Sequence, residues 1–150
     1  MIEIDASVHS SNRRFQRFAM TLLLDTHVLL WALISPARLR PGLHAALIAA
    51  DTKVLFSAAS IWEIAIKRAL GRLDFGFEPE SVAQAALDTE FDELAVRHTH
   101  AARVRHLPQL HADPFDRLLL AQAQCEGALL VTADQALMAY PAPVRWVGDF

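Results

Sequence analysis

The sequence predicts an α/β protein, a three-layer α/β/α sandwich around a central, mostly parallel sheet. Short apolar runs that suit buried strands alternate along the chain with longer helical stretches, and turn residues separate them. Strands that alternate with helices pair in parallel through right-handed crossovers, which places helices on both faces of the sheet. The 150 residues are 53% hydrophobic and 21% charged, which suffices for one folded domain and excludes a disordered chain.

The first half of the chain begins with a run of three leucines that predicts a buried strand. The helix after it ends at a Ser35–Pro36 turn, and Pro41 suits the first position of a second helix. Gly71 ends a long third helix, since glycine is favoured just past a helix C-terminus. The predicted elements here are strands over 22–24 and 53–57, and helices over 26–33, 41–50 and 58–70.

The second half continues the alternation of helices and strands. Pro79 suits a helix start, and Asp113 followed by Pro114 is a favourable N-cap and first turn for a helix that Gly127 ends. A basic helix and a loop over 108–112 precede that helix. The predicted elements here are helices over 79–89, 97–107, 113–126 and 134–140, and strands over 91–96, 128–132 and 144–147.

The start of the chain differs in composition from the rest. Residues 1–19 are polar and arginine-containing, and we expect a flexible extension before a single domain over 20–150. Asp25 and His27 interrupt the apolar stretch that follows, so neither a signal peptide nor a membrane span is predicted. A lone cysteine, Cys125, excludes an internal disulfide framework and suits a reducing compartment. We therefore expect a cytoplasmic protein without a membrane partner.

The charge balance bears on possible partners. With 14 Lys and Arg against 17 Asp and Glu, the formal net charge is -3. A general nucleic-acid coat would carry excess basic residues. Any nucleic-acid chemistry in this protein must therefore be local.

Four acidic residues fall at predicted element ends. Asp25 follows the first strand and Asp134 follows the fourth, while Glu63 and Asp116 lie early in long helices. Ligands of open parallel sheets bind outside the carboxyl ends of the strands. Carboxylates crowded there repel one another and favour a divalent cation, with oxygen ligands preferring Mg²⁺ or Mn²⁺ over zinc. The pattern is of a nuclease type, although spacing alone also permits a phosphatase.

Helix capping is the alternative role for most of these acids. Ser60 and Glu63 match the capping-box spacing, and Asp113 suits an N-cap with Asp116 at the third helical position. Asp134 also precedes a short helix. Asp25 is harder to assign to capping, because it follows a buried strand and an unpaired buried carboxylate is costly.

Several stretches in order resemble the PIN-domain ribonucleases, specifically VapC-type toxins of bacterial toxin–antitoxin systems. The resemblance runs from about residue 20 to 146. It rests on LLLDTHVLLWAL (22–33), SAASIWEIAIKRALGRL (57–73), DPFDRLLLAQA (113–123) and LLVTAD (129–134).

The resemblance implies the roles of the four acids. By motif position they are Asp25, Glu63, Asp116 rather than Asp113, and Asp134. Asp25 and Asp116 are then expected to ligate Mg²⁺ directly, with Mn²⁺ as a substitute. Glu63 and Asp134 are expected to act directly or through water. The family also implies a PIN-like fold, metal-dependent RNA cleavage, inhibition by a cognate antitoxin and homodimerisation.

Two other functions remain open from the residues. Receiver-like phosphotransfer domains also place acids at strand ends, but they pair acids at the first strand and use a lysine after the fifth, whereas the last lysine here is Lys67. A non-catalytic binding module on the same fold is the other alternative. The presence of all four acids counts against it.

Further polar and aromatic residues have two interpretations each. Lys67, Arg68 and Arg117 lie near the acids in sequence and are candidates for the cleft rim. The basic, histidine-rich segment over 97–106 suits either phosphate contacts or a solvated helix face. The hydroxyls of Thr26 and Thr132 suit either a water or phosphate contact or a helix cap. Two of the three tryptophans, Trp31 and Trp62, suit the core or a dimer interface, with base stacking as the alternative.

Overall fold

A computed structural model describes residues 17–150, which form a five-stranded sheet in which every pair of neighbouring strands is parallel. The strand order is β3-β2-β1-β4-β5. The strands are β1 (Met20–Leu24), β2 (Thr52–Ser57), β3 (Asp92–Leu94), β4 (Leu129–Thr132) and β5 (Val144–Trp146).

Six α-helices connect these strands within the described residues. They are α1 (Thr26–Ile34), α2 (Pro41–Ile48), α3 (Ala58–Ala69), α4 (Pro79–Asp88), α5 (His98–Arg103) and α6 (Pro114–Glu126). Short 3₁₀ turns lie at Pro36–Arg38, Leu73–Phe75, Val104–His106, Gln135–Ala139 and Val147–Asp149.

The sheet separates two apolar layers, and successive residues of β1 alternate between them. Leu22 and Leu24 belong to the cluster that contains side chains of α1, α2 and α4, whereas Leu23 belongs to the cluster built on α6. All three leucines are fully buried, and each contributes about 1.5–3 kcal/mol of transfer free energy. The predicted three-layer α/β/α sandwich is confirmed, and the sheet is parallel throughout.

The strand order creates a crevice beside β1. The chain moves outward from β1 through β2 to β3, then returns to place β4 against the other side of β1. The connections on the two sides of β1 therefore leave in opposite directions at its carboxyl end. That is the switch point at which parallel α/β sheets bind ligands.

The predicted elements are all present, with boundaries shifted by a few residues. The basic helix predicted over 97–107 is only partly α-helical, since α5 ends at Arg103 and a 3₁₀ turn follows, as is common at helix ends. The predicted helix over 134–140 is likewise a 3₁₀ turn. Gly71 and Gly127 have positive φ angles of 74° and 62°, which confirms their predicted place after α3 and α6.

The chain start is described from residue 17 onward. The backbone N–H of Ala19 donates a hydrogen bond to the carbonyl of Asp51 at 2.8 Å, so contacts with the residues before β2 begin at Ala19. The flexible extension predicted over 1–19 falls almost entirely outside the described residues. Among the described helices, none is both long and apolar enough to cross a membrane.

Candidate active site

A cleft of about 440 Å³ opens at the carboxyl ends of β1 and β4. All four predicted site acids line it, from four different parts of the chain. They are Asp25, Glu63, Asp116 and Asp134.

Asp25 is held rigidly at the end of β1. Its Oδ1 accepts a hydrogen bond from the N–H of Val28 at 2.8 Å, so it caps α1. Its Oδ2 accepts from the Thr132 hydroxyl at 2.7 Å and from the Ala133 N–H at 2.8 Å. Burial raises the pKa of this carboxyl, and these hydrogen bonds oppose the rise. A capping role was not expected for Asp25, and it accounts for how a buried carboxylate is tolerated.

Glu63 lies on α3 and is bound from two sides. Its Oε1 accepts from the Thr26 hydroxyl at 2.5 Å, and its Oε2 forms an ion pair with Lys67 one turn later. The capping-box alternative is wrong, because α3 begins a turn earlier than that pattern requires. Its N-cap is Ser57, whose hydroxyl accepts from the N–H of Ala59 at 3.0 Å.

Asp113 and Asp116 divide the roles that the sequence left open. Asp113 caps α6, with its Oδ1 accepting from the N–H of Phe115 at 2.8 Å and of Asp116 at 3.3 Å. The Asp116 side chain is thereby left to face the cleft. Burial, followed by the negative charges of Asp113, Asp25 and Glu63, raises the pKa of Asp116 to about 6, against a hydrogen bond to His111.

The raised pKa provides a test of whether the site suits a cation. Burial and, after it, three neighbouring carboxylates push Asp116 toward its protonated form, so a bound cation would stabilise the ionised carboxylate. The possible ligand atoms are carboxylate oxygens and the imidazole nitrogen of His111. A divalent cation fits this set of donors.

Asp134 combines a cap with a place on the cleft. Its Oδ1 accepts from the N–H of Ala136 at 2.9 Å, which confirms the capping alternative. Its own N–H donates to the Thr132 hydroxyl at 3.0 Å, so Thr132 links Asp134 to Asp25. The Thr132 hydroxyl therefore connects two site acids, a role that the sequence did not predict.

His111 is a site residue that the sequence analysis missed. Its Nε2 lies 2.9 Å from Asp116 Oδ2 and 3.6 Å from Asp134 Oδ2. One ligand atom from each of these three residues lies within 4.8 Å of the others. The only sequence signal was its position in the loop that must approach the cleft before α6 begins. A loop histidine carries no periodic pattern, so that signal was weak.

Of the three basic residues predicted for the cleft rim, only Lys67 lines the cleft. The prediction for Arg68 is wrong, because its side chain does not line the cleft and donates a hydrogen bond to Glu78 at 2.7 Å. The prediction for Arg117 is also wrong, since this side chain is buried and donates a hydrogen bond to the carbonyl of Pro108 at 2.7 Å. Consecutive helical residues point about 100° apart, so a neighbour of a cleft residue faces elsewhere.

The structure also distinguishes between the alternatives predicted for the tryptophans and for the basic segment. Trp31 packs partly against the core and lines the cleft, whereas Trp62 is 59% exposed, so a core position for Trp62 is wrong. The Trp62 ring meets the Phe115 ring edge-on at 5.1 Å. Within the basic segment His100 is buried and lies 2.8 Å from Glu126, so it is not placed to contact phosphate.

The fold and cleft define a class of protein: a parallel α/β sandwich whose carboxylates meet at the switch point, in a site suited to a divalent cation. A sequence model of the PIN domain matches residues 22–142. The chain therefore belongs to the PIN-domain family, which confirms the resemblance at the family level. Members of this family are in general nucleases.

Solved structures with the same fold include toxin–antitoxin complexes. VapBC2 from Rickettsia felis, bound to a promoter DNA fragment, matches with a TM-score of 0.64 and 16% identity over 85% of this chain and 98% of that chain. DNA-bound VapBC from Salmonella typhimurium matches with a TM-score of 0.59 and 15% identity over 85% of this chain and 98% of that chain. A toxin–antitoxin complex from Klebsiella pneumoniae matches with a TM-score of 0.56 and 20% identity over 83% of this chain and 95% of that chain. At these identities the likeness shows the fold. A search of curated protein sequences found no significant match.

Proposed function

We propose that this protein is a VapC-type toxin of a toxin–antitoxin system, a Mg²⁺-dependent endoribonuclease that acts in the cytoplasm and accepts Mn²⁺ in place of Mg²⁺. The observation that carries the proposal is the convergence of Asp25, Glu63, Asp116 and Asp134 in one cleft at the switch point. Family membership supports the nuclease assignment.

The proposal assigns a role to each acid. Asp25 and Asp116 supply the carboxylate oxygens that hold the ion, from the end of β1 and the first turn of α6. Glu63 and Asp134 would position the ion directly or through water and polarise the attacking water, and Lys67 lies beside Glu63 to approach a phosphate oxygen. When bound, a divalent ion lowers the pKa of water and neutralises charge on a phosphodiester.

The test is RNA cleavage by purified protein freed of any antitoxin. We expect cleavage of single-stranded RNA with Mg²⁺ or Mn²⁺, none in chelator, and no cleavage of DNA of the same sequence. Asp116→Asn should lower the rate by at least about a hundredfold, because it removes a ligand. Asp88→Asn is the matched control, since Asp88 ends α4 on the surface and accepts a hydrogen bond from Gln84. Undiminished cleavage in chelator, or equal loss in both variants, would contradict the metal mechanism.

The proposed partner is a cognate antitoxin protein, supported by the fold shared with VapBC complexes. Expression of the chain alone should arrest bacterial growth, and co-expression of the adjacent small reading frame should relieve the arrest. Arrest that persists with Asp116→Asn would contradict the link between toxicity and the cleft.

The proposal includes a homodimer. The exposed Trp62 ring and the Phe115 ring form an apolar surface pair, as is common at subunit contacts. Trp62→Glu should convert a dimer into a monomer in light scattering, whereas the exposed Leu73→Glu should leave the mass unchanged. A monomeric wild-type chain would contradict this part of the proposal.

The receiver-like alternative finds no support at the site. Receiver-like domains also use a phosphorylatable aspartate on the third strand. The aspartate of β3 is Asp92 at its first position, and Ala95, Val96 and Arg97 follow its carboxyl end. The acidic cleft likewise counts against a non-catalytic binding module.

A further inference from the structure

The three ligand atoms contributed by His111, Asp116 and Asp134 converge on one side of the cleft. The oxygens of the other two acids have partners of their own: those of Asp25 accept from Val28, Thr132 and Ala133, and those of Glu63 accept from Thr26 and Lys67. Asp134 uses Oδ1 for its cap, which leaves Oδ2 facing His111. The nitrogen and two oxygens therefore form a group distinct from the carboxylates of Asp25 and Glu63, which offer oxygen ligands alone.

The loop that carries His111 is anchored by buried contacts. Arg117 donates to the carbonyl of Pro108 at 2.7 Å and to the Tyr140 hydroxyl at 3.1 Å. That hydroxyl donates in turn to the carbonyl of His111 at 3.5 Å. The imidazole is thus presented to the cleft from a backbone attached to the rigid start of α6. A ligand held in advance loses little conformational entropy on binding.

We propose that His111, Asp116 and Asp134 form a mixed nitrogen–oxygen metal subsite that selects a first-row transition ion, such as Mn²⁺, over Mg²⁺. Imidazole nitrogen binds transition ions well, whereas Mg²⁺ prefers oxygen ligands and retains its waters. The subsite rests on the proposed function, since it refines which cation the acidic cleft takes. Asp116 contacts His111 and lies within electrostatic range of Asp25 and Glu63, so it can serve both groups.

The test measures metal ligation directly rather than activity. Full-length protein, purified without a polyhistidine tag and freed of metal, is titrated with Mn²⁺ in a nitrogen-free buffer. Pulsed electron paramagnetic resonance detects a coordinated imidazole through its ¹⁴N modulation. We expect the modulation in wild-type protein and its loss in His111→Gln. His27→Gln is the matched control, because His27 is the other histidine that lines the cleft among residues 17–150 and its Nε2 lies 3.6 Å from Asp74.

Binding constants provide the second measurement. His111→Gln should weaken Mn²⁺ binding by roughly tenfold or more, since it removes one ligand. The same variant should change Mg²⁺ binding by less than about twofold, because the oxygen ligands remain. Equal weakening for both ions would overturn the proposal, as would ¹⁴N modulation that survives in His111→Gln or disappears in His27→Gln.

Two arrangements keep the result interpretable. If His111→Gln does not fold, wild-type protein labelled with ¹⁵N-histidine replaces it, and an unchanged modulation pattern then overturns the subsite. Failure of the proposed function is a separate outcome. Histidine ligation without RNA cleavage removes the nuclease proposal and retains the subsite, whereas metal-dependent cleavage without histidine ligation does the reverse.

Discussion

The hydroxyl of Thr132 donates a hydrogen bond of 2.7 Å to the carboxylate of Asp25. The hydroxyl oxygen of Thr132 also accepts a hydrogen bond from the backbone N–H of Asp134 at 3.0 Å. One buried side chain therefore connects the carboxyl ends of β1 and β4 and positions two acids of the cleft.

Replacing Thr132 with valine should loosen this connection. The variant keeps the shape but leaves the Asp25 carboxylate with one donor fewer, which costs about 1–3 kcal/mol for a buried group. Urea denaturation of metal-free protein measures the loss. Thr132→Ser keeps the hydroxyl and should recover most of it. Equal destabilisation by both variants would assign the effect to packing instead.

Asp116→Asn should stabilise the metal-free protein while removing activity. The folded pKa of about 6 exceeds the ordinary 3.8, so the folded state binds this proton more tightly than the unfolded state. Stability due to this group is present below pH 3.8 and is lost as pH rises to about 6. At pH 7 we expect the variant to be more stable by about 1–2 kcal/mol, after a discount for residual solvent screening.

The pH dependence distinguishes this effect from a simple packing change. The stability difference between Asp116→Asn and wild type, measured by urea denaturation, should largely vanish at pH 3.5 to 4 if the carboxylate charge causes it. Asp88→Asn should show no such trend, because Asp88 lies on the surface outside the cleft. A constant difference across this pH range would refute the electrostatic explanation.

Lys67→Met should lower stability and strengthen cation binding. The Lys67 ammonium pairs with Glu63 in a largely buried position, so its loss leaves a carboxylate uncompensated, at a cost of about 1–3 kcal/mol. A divalent cation competes with the ammonium for that carboxylate, and we expect its affinity to rise roughly threefold or more in calorimetric titration.

Arg68→Met is the control for Lys67. It sits next along α3, and its exposed pair with Glu78 is worth about 0.2–1 kcal/mol. Cation affinity should not change in this variant. Weaker binding in Lys67→Met would show that the lysine supports the cation site rather than competing for it.

Arg117→Met should destabilise the protein strongly. The buried guanidinium donates to three backbone carbonyls and to a tyrosine hydroxyl, those of Pro108, Val104, Leu107 and Tyr140. Leaving buried carbonyls without donors costs about 1–3 kcal/mol each, so we expect a total loss of about 2–5 kcal/mol. Urea denaturation measures it, with the exposed Arg72→Met expected within about 0.5 kcal/mol of wild type. A loss no larger than that of Arg72→Met would mean that the loop does not depend on Arg117.

Local signals in the sequence predicted most of the fold. Leucines 22–24 predicted β1, because a short uninterrupted apolar run suits a strand covered on both faces. Gly71 and Gly127 predicted helix ends, because glycine adopts positive φ without steric cost. Boundaries failed where the backbone changed from α to 3₁₀ geometry, as after Arg103, because that change depends on packing.

The sequence by itself determined the order of elements, the parallel sandwich and four acids that the structure brings into one cleft. These follow from local periodicity and from the rule that strand ends of a parallel sheet meet at one edge. Only the tertiary structure decided which way adjacent side chains point. In the tertiary structure Arg117 is buried although Asp116 beside it faces the cleft. Glu63 does not take part in the predicted capping box, and His111 contacts Asp116. These contacts join elements whose relative rotation is set by core packing, and no spacing along the chain encodes that rotation.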